Sequence, residues 1–437
     1  MSIPTLQGLQ TALSGLLAEQ QALDVAGQNI ANANTEGYSR ERVVMETGPD
    51  IAIPSISAIT GEGAQLGTGV TIETYTRIRN SYLDAQYRTQ NSAASGATTQ
   101  AEELEQAESA FNEPSSAGIS TQLSNFWSAW NSLSQDPTSE AAKEGVVAAG
   151  QRLANAFNEL SAQLQTISTQ ATQQYEARTG PNGEVADYAR QIAQLNEQIK
   201  QAEQAGQPPN DMLDRRDLLI DKLSALANVT VTTEPDGTDT IGFGDAGEPL
   251  VKGTDVNWPQ TLTSAAGGQL GALLSLNGPE GGLTVFQSEL DAVAATLASS
   301  VNELHTSTPF FTGNTAATLK VAVNASEVEA SSSGATGGND VALKIAELRG
   351  GAADQSYSAL VGLVGSTVQG AKDEQENLQT TLTAIGNQRQ SISGVSLDEE
   401  MTNLITFQRG YQASARTLTA MDEMLETVIE HTGRAGL

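Results

Sequence analysis

Two stripes of apolar residues, one at each end of the chain, restrict the possible folds more than anything between them. In the first, Leu6, Leu9, Leu13, Leu16, Leu23 and Ile30 fall in steps of three and four once Gln20 and Gly27 fill the remaining seam positions. In the last, Leu397, Met401, Leu404, Tyr411, Ala415, Leu418, Leu425 and Ile429 do the same, with Gln408 and Asp422 as polar exceptions. A seam repeating every 3.5 residues belongs to a helix that packs along other long helices. Pro4 suits a first helical turn, and the Asn, Thr and Gly residues of Asn32–Gly37 end the first helix. Ser396 is placed to cap the last helix, with Glu399 at the capping-box position. Asp398, Glu399 and Glu400 complement the dipole of its first turn. A helix from about 397 to 431 is ~50 Å long. Each stripe needs a cover, and two arrangements supply one: a coiled coil within one molecule, or helices completed by other subunits.

Between the ends the composition shifts. Residues 76–228 carry helical spacing (Leu104, Ala107, Phe111; Leu153, Phe157, Leu160, Leu164; Ile192, Leu195, Ile199), punctuated by Pro114, Pro137, Pro181 and Pro208–Pro209. Val229–Thr233, a Pro235-Asp-Gly turn, Thr240–Phe243 and Leu250-Val251 read as short strands. Helical spacing returns at 268–305, a second β-like patch follows at Leu319–Val323, and helix resumes from Val341. Residues 46–75 read as extended, around Ile51, Ile53, Ile56 and a Gly61–Gly69 loop. The expected architecture is mainly α: an elongated multi-domain rod with a small β-rich insertion and a coiled-coil pair of terminal helices. Its parts are a terminal domain (1–45 plus 395–437), a helical body (46–228, 268–305 and 341–394) and a β-rich outer domain (229–267 plus 306–340).

Composition then excludes functions. The 437 residues hold 22 Lys and Arg against 52 Asp and Glu, a net charge of −30. Nucleic acid and anionic lipid both require clustered cations, so neither is an expected partner. The acid excess is spread along the chain and identifies no site. With no cysteine, thiol catalysis, Cys-based zinc sites and disulfides are ruled out. No apolar run approaches the ~18 residues of a membrane span. No Lys or Arg precedes Arg40, so a cleaved secretory signal, which needs a basic start, is not expected.

Nothing argues for catalysis. The two histidines, His305 and His431, have no metal-box neighbours. Gly242–Gly247 matches GxGxxG, but Glu248-Pro249 follows where the dinucleotide fold needs a helix, so a turn is expected. Asp236, Asp239 and Asp245 lack the calcium-loop spacing. No cofactor or metal is expected.

Three stretches carry more than pattern. Asp24-Val-Ala-Gly-Gln-Asn-Ile-Ala-Asn-Ala-Asn-Thr-Glu-Gly-Tyr-Ser-Arg40 resembles the N-terminal signature of the rod, hook and hook-associated axial proteins of the bacterial flagellum. Gly394-Val-Ser-Leu-Asp-Glu-Glu-Met-Thr-Asn-Leu-Ile-Thr-Phe-Gln-Arg-Gly-Tyr-Gln-Ala-Ser-Ala-Arg416, with Met421-Asp-Glu-Met, is similar to their C-terminal helix. Pro209-Asn-Asp-Met-Leu-Asp-Arg-Arg-Asp-Leu-Leu-Ile-Asp-Lys-Leu-Ser224 narrows the resemblance to the hook–filament junction members. Rod and hook proteins share the ends but not this middle stretch.

The resemblance implies a structural adaptor of the motility apparatus: a ring of identical subunits between a hook that bends and a filament that stays rigid. It implies type III export through the flagellar channel without a cleaved signal, and residence outside the cell. The implied partners are further copies of the chain, the hook protein, a second junction protein and a cytoplasmic export chaperone at the C-terminal helix. The implied assembly interface is Leu6, Leu9, Leu13, Leu16, Leu23, Ile30, Asn32, Asn34, Gly37, Tyr38, Leu397, Met401, Leu404, Tyr411, Leu418, Leu425 and Ile429. The alternatives are another axial subunit (hook or distal rod protein), or a secreted adhesin or enzyme on a flagellar scaffold. The last would have to place its site in the β-rich module.

Overall fold

The computed structural model describes residues 4–53, 64–333, 335 and 337–432, and side chains within 7–50, 67–333, 335 and 337–430. Ile56 and Gly61, and the side chains of Leu6 and His431, lie outside the described residues.

Helix α1 (Pro4–Asn32) is followed by strands β1 (Glu41–Thr47), β2 (Ile51–Ile53), β3 (Ala64–Leu66) and β4 (Val70–Arg77). Five helices come next: α2 (Ser81–Phe111), α3 (Ile119–Gln135), α4 (Glu140–Thr179), α5 (Glu184–Gln204) and α6 (Asn210–Leu226). Strands β5 (Val229–Thr233), β6 (Asp239–Phe243), β7 (Val251–Lys252) and β8 (Asp255–Val256) form an antiparallel sheet in that order. Helices α7 (Gly268–Leu276) and α8 (Gly282–Asn302) precede the ribbon of β9 (Phe311–Thr312) and β10 (Lys320–Val321). Helices α9 (Asp340–Ala346), α10 (Ala352–Ser393) and α11 (Leu397–Thr432) complete the chain.

Local chemistry sets these limits. Asn80 caps α2, its side chain accepting from the Tyr82 and Leu83 amides, and Asn112 ends that helix in the left-handed region at φ 50°. Ser139 caps α4. The Asp236-Gly237 turn joins β5 to β6, with Gly237 at φ 79°. The GxGxxG match is a turn, as expected: Gly242 lies in β6, Gly244 adopts φ 62°, and no helix follows directly.

The long N-terminal hairpin pairs β1 with β4, Glu41 opposite Arg77 and Thr47 opposite Val70, with a bulge after Val44. It lies along α1. Tyr75 donates its hydroxyl to Gln21 at 2.6 Å, and the Val70 amide donates to Ser14 Oγ at 3.3 Å. Gly69 (φ 102°) makes the close approach possible, since a Cβ there would fall 3.2 Å from Thr11 Cα.

Two hydrophobic cores stabilise the body. The larger joins α2, α3, α4, α8, α9, the first half of α10 and the β9–β10 ribbon. At its centre Phe126 packs on Trp127, Trp130, Phe310 and Phe311, with ring centroids 5.1–6.3 Å apart. The smaller core lies between α5, α6, α7 and the β5–β8 sheet, around Ile192, Ile220, Leu223, Ile241, Phe243 and Leu270.

This separation corrects the expected β-rich module. Residues 229–267 and 306–340 do not come together; they occupy different sheets on different cores. Phe310 and Phe311 decide it, because two adjacent large aromatics gain most in the aromatic cluster around Trp130. His305 belongs to the same cluster. It is buried, its Nδ1 lies 2.6 Å from the Thr308 carbonyl, and its Nε2 accepts from the Glu329 amide. Both ring nitrogens are thereby used in holding the chain between α8 and β9.

Phe126→Ala is expected to destabilise the chain by about 3–5 kcal/mol, as for other buried aromatics reduced to alanine. Urea unfolding followed by tryptophan fluorescence checks this, since Trp127 and Trp130 flank the deleted ring.

Candidate functional site

The site is the joint where the terminal helices leave the body. Helices α1 and α11 run antiparallel: Gly8 meets Met421, Gly15 meets Ser414, Glu19 meets Gly410 and Asn29 meets Glu400. Each step forward on α1 is a step back on α11. The meeting face of α1 is made of small residues. Ala12, Ala22 and Ala26 are buried on the side shared with Gly8 and Gly15, and a Cβ on Gly8 would lie 2.7 Å from Met421 Cε. Small side chains let the helix axes approach closely, so backbone atoms share in the contact.

The leucine stripe of α1 therefore points elsewhere. Leu9, Leu16, Leu23 and Ile30 are half-buried, and Leu13 and Leu17 are 43% and 48% exposed. On α11 the expected stripe does face inward in part. Leu404, Tyr411, Leu418 and Leu425 are half-buried beside α1, while Leu397, Met401 and Ile429 are exposed. Spacing could not choose between the two faces of α1, because both repeat in threes and fours.

The end of α1 is tied down by polar contacts. Asn29 is buried with its amide fully used. It donates to the Glu41 carbonyl (2.9 Å) and Glu400 (3.2 Å), and accepts from the Tyr38 hydroxyl (2.8 Å) and the Glu41 amide (2.9 Å). Asn32 donates to the Gln28 carbonyl, capping the last turn, and Asn34 is exposed. Gly37, at φ 81°, packs its backbone on Leu218 of α6. Burial, with Glu41, Asp214, Asp211 and Glu400 around it, raises the Tyr38 phenol far above its ordinary range, so it remains a donor. Ser396 caps α11 as expected, accepting from the Glu399 amide. The chain entering the body and the chain leaving it also meet: the Arg40 amide donates to the Ser393 carbonyl at 2.9 Å. The Arg40 guanidinium bridges Glu399 (2.6 Å) and Glu400 (2.7 Å).

Behind this lies a cluster of buried charge. Asp214, Asp217 and Asp221 stand three and four residues apart on α6, hence on one face. Arginines from three other segments converge on them. Arg77 of β4 pairs with Asp214 (2.7 Å) and Asp217 (2.9 Å), and Arg79 with Asp217 (3.1 Å) and Asp84 (2.7 Å). Arg88 of α2 pairs with Asp217 (3.0 Å) and Asp221 (2.8 Å). Arg389 of α10 pairs with Asp221 (2.7 Å) and lies 4.2 Å over the Tyr87 ring. The Ser39 amide donates to Asp214 at 2.8 Å, which brings the turn after α1 onto the same cluster. Burial pushes the Asp217 carboxyl up, but Arg79, Arg77 and Arg88 outweigh it and hold it below the usual aspartate value.

Asp214, Asp217 and Asp221 lie within the Pro209–Ser224 stretch, and their helical spacing is the only sequence signal of their joint role; the arginines that meet them are distant in sequence. Among the described residues no group of three or more His, Cys, Asp or Glu could hold a metal ion, and no helix is long and apolar enough to cross a membrane.

Terminal helices paired beside a hairpin and locked to a helical body by buried charge define an axial subunit of the bacterial flagellum, and comparisons with known proteins agree. Family models match at three places: "Flagella basal body rod protein" over residues 9–38, "Flagellar hook-associated protein FlgK helical domain" over 104–265, and "Flagellar basal body rod FlgEFG protein C-terminal" over 387–430. The flagellar hook-associated protein 1 of Bacillus subtilis (strain 168) is 32% identical, with 99% of each chain covered. The Escherichia coli (strain K12) protein of that name is 26% identical over 65% of this chain and 50% of its own length. The solved flagellar hook junction protein FlgK from Burkholderia pseudomallei is 26% identical over 51% of this chain and 43% of that one, at a TM-score of 0.45. The chain belongs to the flagellar hook-associated protein 1 family. It is a structural hook–filament junction protein of the extracellular flagellum and not an enzyme.

Asp217→Asn leaves the buried Arg88 and the half-buried Arg77 and Arg79 short of a negative charge and is expected to cost about 3 kcal/mol at neutral pH. Because the folded value of Asp217 is depressed, its contribution is complete above the unfolded value of about 3.9. It is lost as pH falls through the lower folded value. Urea midpoints of the two chains should differ at pH 7 and converge as pH drops below about 4.

Proposed function

We propose that the chain assembles into a ring of identical subunits in which the terminal helices, residues 1–45 and 395–437, form an inner tube and the rest forms the outer body. One observation carries this reading: α1 meets α11 through alanine and glycine and leaves Leu13 and Leu17 to solvent. Burying a leucine is worth ~1.5–3 kcal/mol, so a stripe of them is a strong drive to pack on a neighbour. The interface comprises Leu6, Leu9, Leu13, Leu16, Leu23 and Ile30 of α1 with Leu397, Met401, Leu404, Tyr411, Leu418, Leu425 and Ile429 of α11. Residues Asn32, Asn34, Gly37 and Tyr38 form the turn between tube and body.

In this reading the ring meets the hook protein on one face and a second junction protein on the other. A cytoplasmic chaperone covers the C-terminal helix before export. The charged joint couples tube to body, so that load from the hook reaches the filament through ion pairs rather than through a loose linker.

Replacing both Leu13 and Leu17 with Asp should leave the monomer folded, since both are exposed, and should block assembly. Cells carrying that chain should show intact hooks, no filaments, and flagellin shed into the medium. Electron microscopy with immunoblotting of the supernatant checks this, and normal filaments would sink the proposal.

A further inference from the structure

The outer faces of the two terminal helices carry charges of opposite sign at their middles, Asp24 on α1 and Arg409 with Arg416 on α11. On α1, the face turned away from α11 bears Leu13, Leu17, Gln20 and Asp24, all exposed. Asp24 has no ion pair among the described residues. On α11, the face turned away from α1 bears Ile405, Arg409, Gln412 and Arg416, again all exposed. Arg409 and Arg416 are seven residues apart, which stacks them ~10.5 Å from one another along the helix. Neither has an ion pair among the described residues.

Acids outnumber bases 52 to 22, and the arginines around the joint (Arg40, Arg77, Arg79, Arg88 and Arg389) are all taken up by its carboxylates. Two unpaired arginines in line on one helix face are therefore a local cationic strip on an acidic protein. Within one molecule the two outer faces point apart, so Asp24 cannot reach the strip. A second copy can bring it there.

We propose that Arg409 and Arg416 of one copy take Asp24 of a second copy between them, and that this ionic contact sets the register in which neighbouring terminal helices pack. It rests on the reading that those helices pack together. Apolar stripes supply attraction without fixing register, since a slide of seven residues presents a similar stripe. The charges favour one register. A slip of seven residues toward Glu423 exchanges Arg409 for a like charge, and a slip the other way exchanges Arg416 for Thr402; between Arg409 and Arg416 alone does Asp24 meet two arginines.

The test uses the full chain in flagellated cells. Arg409→Glu with Arg416→Glu should lower the fraction of cells bearing filaments by about 10-fold or more. Adding Asp24→Arg should restore it to within about 3-fold, because the swapped charges attract again. The absence of native cysteine allows a direct readout as well. Asp24→Cys combined with Arg409→Cys or with Arg416→Cys, oxidised in isolated flagella, should give a ladder of cross-linked subunits on a non-reducing gel. Assembled flagella without a ladder from either pair would overturn the proposal, as would charge reversal that Asp24→Arg does not relieve. Retention of the reversed chain inside the cell would assign the strip to a partner met before export, and would also overturn it. The Leu13→Asp, Leu17→Asp chain separates the two readings. If it blocks assembly while the charge variants assemble normally, helix packing stands and the ionic register falls. If all assemble normally, both fall.

Discussion

The face of α6 that carries Asp214, Asp217 and Asp221 holds the molecule's parts in relation to one another. Each buried carboxylate gives up several kcal/mol of hydration, and only arginines in good geometry return it. Those arginines come from β4 and the segment after it, from α2 and from α10, so the cluster is complete only when all of them have arrived. No part of it is favourable alone. Residues 39–40, which leave α1, and Ser393, which precedes α11, are hydrogen-bonded within this assembly. The attachment of the terminal helices thus shares hydrogen bonds with the charged cluster in addition to the contacts between α1 and α11.

Ahead of the joint, the α1–α11 pair solves a packing problem in an economical way. A helix that is apolar on several sides can spend only one side on its intramolecular partner. Spending the alanine and glycine side brings Gly8 and Gly15 against Met421 and Ser414, where close approach compensates for small area. Leu13 and Leu17 remain on the outside, and Leu9, Leu16, Leu23 and Ile30 are half-buried, so the larger side chains retain much of their capacity for burial.

Much of this was legible in the residues. The terminal helices, the Asn32–Gly37 stop, the Ser396 cap and the β5–β6 turn followed from local rules of capping, periodicity and turn chemistry, each acting over a few residues. The match at Gly242–Gly247 could be dismissed for want of a following helix. Less is legible where partners are remote. Residues 306–340 look as β-like as the β5–β8 strands, yet Phe310 and Phe311 follow the aromatic cluster around Trp130. The spacing of the α1 leucines is visible in the sequence, but which face of α1 meets α11 is not, because closeness of approach leaves no mark on hydrophobicity. The spacing of the three α6 aspartates is visible too, but the arginines that pair with them are far away in sequence.

By itself the sequence determined the helical ends, their apolar repeat, the absence of cysteine and the motifs that point to a flagellar axial subunit. These are properties of composition and of short-range spacing. Tertiary structure alone decided which face of α1 turns inward, which core each β segment joins, and how Arg77, Arg79, Arg88 and Arg389 converge on one helix face. Each of those choices is a competition between surfaces far apart in the chain. It is settled by fit and by charge compensation, and neither exists until the surfaces meet.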